Sequence, residues 1–189
     1  MFFFLASSQN GFVENKGQLP NQVVAKLNLP SGSLFIENRL LKYAFYSGKH
    51  LKDVHDLIKK DKVIDAHAYT ATFLNTLNST TSEFYEESKY FENFYIGDSS
   101  NWASNVRSYK YLIQRNIYNG IDVKYFTEAE MFKYDIIIAP NINPNQIAIR
   151  YDGVDLISLF QERITIKTNV NTITEFAPYA FQIINDKKI

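Results

Sequence analysis

SYKYLIQRNIYNGIDVKYFTEAEMFKYDIIIA, residues 108–139, is the stretch whose reading decides the fold. Ser108 to Arg115 and Ile121 to Phe126 read as strands, with the two-residue period of half-buried segments. Between them stands Tyr118-Asn119-Gly120, flanked by Ile117 and Ile121. Asn-Gly between alternating apolar residues is a strong hairpin signal. Phe132 to Ala139 is a third strand that turns continuously apolar, which predicts a central place in the sheet. Pro140 and Pro144 close it.

The same period extends in both directions. Upstream, Val23 to Leu29 alternates as a strand, and Pro30-Ser31-Gly32 is a turn. Ser33 to Glu37 and Leu40 to Tyr46 are two strands joined by Asn38-Arg39, where the tolerance of Asn for positive φ suits a two-residue hairpin. His67 to Leu74 places Tyr69, Ala71 and Phe73 on one face and Ala68, Thr70 and Thr72 on the other. Glu83 to Ile96 is aromatic and acidic and reads as strand towards its end. Downstream, strands are predicted over Gln146–Tyr151, Leu156–Phe160, Arg163–Thr168, Asn171–Glu175 and Ala180–Ile184, with a turn at Asp152-Gly153. Strands recurring about every 8–12 residues with turn signals between them indicate a sandwich or barrel.

One segment breaks the pattern. In Lys49–Lys60, Leu51, Val54, Leu57 and Ile58 fall at i, i+3, i+6 and i+7, which predicts a short helix. Lys59 and Lys60 suit its C-terminal end. The fold expected is therefore all-β, an antiparallel β-sandwich-like domain with one short helix near residues 49–60. Residues 9–189 are expected to form a single β-rich domain, the N-terminal part of a longer protein. Residues 1–8 read as the remnant of a truncated signal peptide. The run Phe2–Ala6 is apolar and Ala6-Ser7-Ser8 offers small residues for cleavage, although no Lys or Arg precedes Lys16. This places the chain outside the cytoplasm, secreted or at the cell surface.

Composition excludes several functions. The 20 Lys and Arg balance 20 Asp and Glu, and no like-charged run exceeds two residues, so the sequence shows no nucleic-acid footprint. Cysteine is absent, which removes disulfides, thiolate metal sites and Cys nucleophiles. No stretch reaches the length of a membrane-spanning helix. The 13 Tyr and 15 Phe fit a pleated, half-buried surface. His50 and His55 are five apart and His67 stands alone, so no metal site is expected. There is no G-x-S-x-G and no phosphate-binding loop, and no cofactor is expected. Asp122, Glu128, Glu130 and Asp135 cluster in one hairpin, where two carboxylates could cleave a glycoside. The simpler reading sets them opposite Lys124 and Lys133 as cross-strand pairs.

FYIGDSSNWASNV, residues 94–106, holds the only Trp of the chain in a segment that otherwise reads as surface loop. Trp102, with Gly97 and Asn105, could anchor this loop to the core. Alternatively Trp102, Tyr95, Tyr90 and Tyr85 could form a carbohydrate platform. The partner would then be an extracellular glycan or a surface protein.

Six blocks in order carry a resemblance: FVENKGQLP (12–20), HAYTATFL (67–74), NFYIGDSSNWASNVRSY (93–109), IYNGIDVKYF (117–126), FKYDIIIAPNINPNQIAIRYDGVD (132–155) and ITEFAPYAFQ (173–182). Over residues 12–184 the chain resembles an uncharacterised N-terminal domain of large secreted surface proteins common in Bacteroidetes. That domain precedes SBBP-type β-propeller, immunoglobulin-like or PKD-like repeats, in proteins that often end in a type IX secretion, gliding-motility-associated sorting domain. The resemblance implies a non-enzymatic structural or adhesion-related module and assigns no catalytic residue. It also implies that Trp102 is a plug, its ring buried and its loss costing about 3–5 kcal/mol.

Overall fold

The computed structural model describes residues 11–48, 63–129, 131–184 and 187–188. The expected helix at 49–60 and the apolar run at 2–6 lie outside the described residues. The regular structure of the described residues is almost wholly antiparallel strand: β1 (Phe12–Glu14), β2 (Val23–Leu29), β3 (Gly32–Glu37), β4 (Leu40–Tyr46), β5 (Ala66–Phe73), β6 (Thr81–Phe94), β7 (Ala103–Tyr118), β8 (Ile121–Glu128), β9 (Met131–Ile138), β10 (Ile149–Asp152), β11 (Leu156–Phe160), β12 (Arg163–Lys167), β13 (Thr172–Glu175), β14 (Ile183–Ile184) and β15 (Lys187–Lys188). Short 3-10 turns occupy Ser99–Asn101 and Pro144–Gln146. The antiparallel all-β fold is as expected.

Two compact units divide these residues. One comprises those up to Phe45 together with Ala68–Asp152, the other those within Tyr46–His67 and Gly153–Ile189. The large sheet runs β10-β5-β4-β3-β2-β1-β7-β8-β9, with β6 paired on β7. The 16-residue β7 organises it. On one side it pairs with β6 over most of its length, from Arg115 opposite Thr81 to Ala103 opposite Phe94. On the other side its first half pairs with β1, Tyr109 opposite Phe12, and its second half with β8, Tyr111 opposite Phe126. The sheet therefore branches at β7 and curls.

Strand periodicity explains the core. Alternate residues point to one face, and on that face Ala25, Leu27, Leu34, Ile36, Leu41, Tyr69, Ala71, Phe73, Ile121, Val123 and Tyr125 are all buried. Tyr43 and Tyr69 stack across neighbouring strands with ring centroids 4.7 Å apart. The second unit carries the three-stranded meander β11-β12-β13, in which Ile166 is fully buried between Ile157 and Ile173 in register.

Several expectations need correction. Among the described residues β9 is not central: it ends the sheet order, and Ile137 and Ile138 are 44% and 40% exposed. Its apolar run marks an open edge rather than two covered faces. Thr81–Phe94 is strand throughout, because pairing with β7 overrides its many exposed charges. The predicted strand at 146–151 begins only at Ile149, after the Pro144–Gln146 turn, and that at 180–184 shrinks to Ile183–Ile184. Asn38-Arg39 does join β3 to β4 as a two-residue connection, with Glu37 opposite Leu40. Neither residue takes a positive φ.

Candidate functional site

The segment from Phe91 to Trp102 holds three exposed aromatics of the first unit, Phe91, Tyr95 and Trp102. Phe91 is half-exposed beneath Arg107, whose guanidinium carbon lies 5.2 Å from the ring centroid. Phe94 turns inward and packs on the buried Val13, Ala103 and Val106. Beyond the end of β6, Tyr95 (56%), Ile96 (81%) and Trp102 (50%) are exposed. The Trp102 ring meets that of Tyr95 at 5.3 Å and an interplanar angle of 61°. The Tyr95 hydroxyl pairs with Ser104 Oγ at 2.8 Å.

Local chemistry shapes this tip. Gly97 takes φ +72° with open space where a Cβ would sit, so backbone conformation is what requires glycine there. The Asp98 carboxylate accepts the Ser100 N–H at 2.8 Å, and that bond holds its pKa below the usual carboxylate value. The Trp102 N–H then donates to the Ser99 carbonyl at 3.2 Å. Two residues of β7, Ser104 and Asn105, stand against one of β6 as a bulge. Asn105 takes φ +54°, donates its N–H to Asn93 Oδ1 at 2.9 Å and accepts Lys16 Nζ at 2.8 Å on its carbonyl.

The Trp102 ring is thus half-exposed, which corrects the buried plug. Its chain segment is secured by main-chain and Asx hydrogen bonds, not by an indole in the core, and a truncation cost of buried-Trp size no longer applies. The flat platform is corrected as well. Tyr95 and Trp102 meet edge to face. Tyr90 stands 74% exposed on a separate bulge, where residues 88–90 of β6 oppose only Ser108. Tyr85 stacks on Tyr111 at 5.2 Å. Its register partner lies eight residues along β7 from Ala103, about 26 Å at ~3.3 Å per residue.

Sequence reasoning missed Asn15. Its Nδ2 reaches the carbonyls of Leu19, Pro20 and Val23 at 3.2, 3.0 and 2.8 Å. Its Oδ1 accepts the N–H groups of Gly17 and Leu19 at 3.0 and 3.1 Å. One amide therefore cages the whole loop after β1. Between this loop and Ser100-Asn101 lies a polar depression of about 520 Å³, lined also by Gln18 and Asn21. A second depression, of about 420 Å³, lies beside the Asn38-Arg39 turn. Asn15→Ala is expected to cost about 2 kcal/mol in thermal unfolding by circular dichroism, since several main-chain groups lose their partner together. Wild-type stability would show that water replaces the cage without cost.

Two of the hairpin carboxylates, Asp122 and Glu128, are held in ion pairs. Asp122 accepts Arg115 Nη1 and the Asn116 N–H, both at 2.8 Å. Glu128 pairs with Lys133, and Asp135 lies opposite Lys124 in register. Asp122 and Glu128 are six residues apart on one strand, about 20 Å, which is far beyond the ~5–9.5 Å of a glycosidase pair, whereas Asp122 and Asp135 are diagonal neighbours on one face of the β8–β9 ladder. Glu130 lies outside the described residues. Glu83 has its pKa lowered, first by the Tyr85 hydroxyl and then by Arg115. These contacts, with Lys124 over the Tyr111 ring at 4.3 Å, make the outer face of β6-β7-β8 a charge and cation–π lattice. His67 lies 2.6 Å from the Gly153 carbonyl through Nε2 and 2.9 Å from Asn169 Oδ1 through Nδ1. Among the described residues, no group of three or more His, Asp or Glu could hold a metal, and no helix is long and apolar enough to cross a membrane.

Residues 12–189 match the family described as a domain of unknown function, DUF7948. The chain belongs to this family. The match begins at β1 and takes in both the Asn15 loop and the Trp102 turn, so the tip lies wholly within the family domain. Comparison with curated proteins and with solved structures returned no match.

Proposed function

We propose that this DUF7948 domain is a non-enzymatic, adhesion-related module of a secreted or cell-surface protein, and that the Phe91–Trp102 tip is its contact surface. One observation carries the reading: Phe91, Tyr95, Ile96 and Trp102 are all exposed within twelve residues of the chain. Apolar side chains left together at a surface mark an interaction site more often than chance exposure does. The extracytoplasmic setting rests on the resemblance to N-terminal domains of secreted surface proteins. A surface protein is the favoured partner, because edge-to-face rings offer an uneven apolar contact rather than a flat one.

A glycan is the second reading. The half-exposed indole and the amides of Gln18, Asn21 and Asn101 around the neighbouring depression favour it. Fluorescence of the single Trp distinguishes these cases. Red-shifted emission, readily quenched by acrylamide, is expected. A saturable shift with one glycan, abolished in Tyr95→Ala, would select the carbohydrate reading. Quenchable emission indifferent to a glycan panel supports the adhesion reading. Blue-shifted, poorly quenched emission would overturn both, because the tip would then be buried.

A further inference from the structure

The edge strand β9 suits a partner that the tip does not. Among the described residues it closes the sheet order, and it carries three consecutive isoleucines at its end. Ala139 donates its N–H to the Gly120 carbonyl at 2.9 Å, continuing the register that sets Ile121 opposite Ile138. Hydrogen-bonded and non-bonded pairs alternate along an antiparallel ladder. The odd residues of β9 therefore bond to β8, while Phe132 and Ile136 turn their main-chain groups away from β8, to a side where no described strand pairs. The even residues share the sheet face of buried Tyr125, which stacks with Phe132 at 6.1 Å. The odd ones, Met131, Lys133, Asp135 and Ile137, share the outer face.

We propose that β9 is a homodimer edge, pairing antiparallel with β9 of a second copy about a two-fold axis at Tyr134. Charge selects both the occupant and the register. Centring the axis on residue 133 sets Lys133 against Lys133, and centring it on 135 sets Asp135 against Asp135. Like charges directly opposite are destabilising. Centring on 134 sets Lys133 of each copy, which also pairs with Glu128 of its own chain, opposite Asp135 of the other, two attractive pairs in place of a repulsive one. The same register sets Phe132 against Ile136 and Met131 against Ile137, and Phe132 and Ile136 exchange main-chain hydrogen bonds. Lys133 and Asp135 occupy non-hydrogen-bonded positions, where facing side chains stand closest. A two-fold contact of this kind is self-complementary and closed, so it yields a dimer rather than a fibre.

The test is sedimentation velocity on the full chain from micromolar to near-millimolar concentration. A reversible dimer is expected. Lys133→Asp and Asp135→Lys should each weaken it by about tenfold or more, since each converts two attractive pairs into two repulsive ones. Mixing the two variants should restore association, because a chain acidic at both positions then faces a chain basic at both. The double variant Lys133→Asp/Asp135→Lys should dimerise with itself. Recovery in the mixture also shows that both variants are folded. A wild-type chain that stays monomeric throughout, or a dimer indifferent to both reversals, would overturn the proposal.

Discussion

Gly32→Ala is expected to destabilise the domain by about 3 kcal/mol, at the top of the overpacking range. For a chain of this size that corresponds to about 6–12 °C in melting temperature. Gly32 opens β3 between two ladders, opposite Leu29 of β2 and Phe45 of β4. A Cβ placed there would overlap the Ala44 carbonyl oxygen and lie 2.7 Å from Phe45 Cδ1. The ring could turn aside. The carbonyl belongs to the β3–β4 ladder and moves only if that ladder opens. Gly97→Ala is the useful control, because a Cβ there meets nothing within 4 Å and only its φ of +72° is unfavourable. Left-handed backbone costs a non-glycine residue about 1–2 kcal/mol. Thermal melts followed by circular dichroism should therefore rank Gly32→Ala well below Gly97→Ala. Equal melting temperatures would mean that β3 and β4 separate without cost.

Gln114→Leu should cost a similar amount, about 3 kcal/mol in urea unfolding, although leucine fits an apolar core. Gln114 is fully buried on β7. Its Nε2 donates to the Glu37 carbonyl of β3 at 2.9 Å, and its Oε1 accepts the Tyr125 hydroxyl of β8 at 2.9 Å. Burial pushes the Tyr125 hydroxyl far above its ordinary pKa, so it keeps its proton and remains a donor. Leucine would leave a buried hydroxyl and a carbonyl without Gln114, and an orphaned polar group costs about 1–3 kcal/mol. Adding Tyr125→Phe removes one of the two orphans, so the double variant should be less destabilised than the sum of the singles. Strict additivity would show that the Gln114–Tyr125 bond contributes nothing.

These two sites differ in how far the sequence reveals them. Gly32 stands in a legible turn, Pro30-Ser31-Gly32, but its need for a bare Cα comes from Ala44, which only strand pairing brings near. Gln114 lies in a legible strand, yet a lone amide in an alternating run reads as solvent-facing. Its inward direction follows from the parity it shares with Leu112, and its partners come from two other strands. Asn15 was legible only as punctuation in FVENKGQLP. Its five contacts exist because the loop closes on it. Trp102 was the hardest to read, because the polar residues around it suit an anchored loop and a displayed one equally well.

The sequence by itself determined most of the strands, the inward faces of those that alternate cleanly, and the Asn119-Gly120 connection. A strand repeats every two residues whatever it packs against, so the pattern is written locally. Tyr69, Ala71 and Phe73 face inward as their alternation required. Tertiary structure alone decided which strands distant in sequence are neighbours, that β9 is an edge among the described residues, and that Trp102 stands half in solvent. The physical reason is that alternation records how a strand's faces are covered and carries nothing about which strand lies beside it. Pairing between distant segments settles that, and with it which side chains the surface presents to a partner.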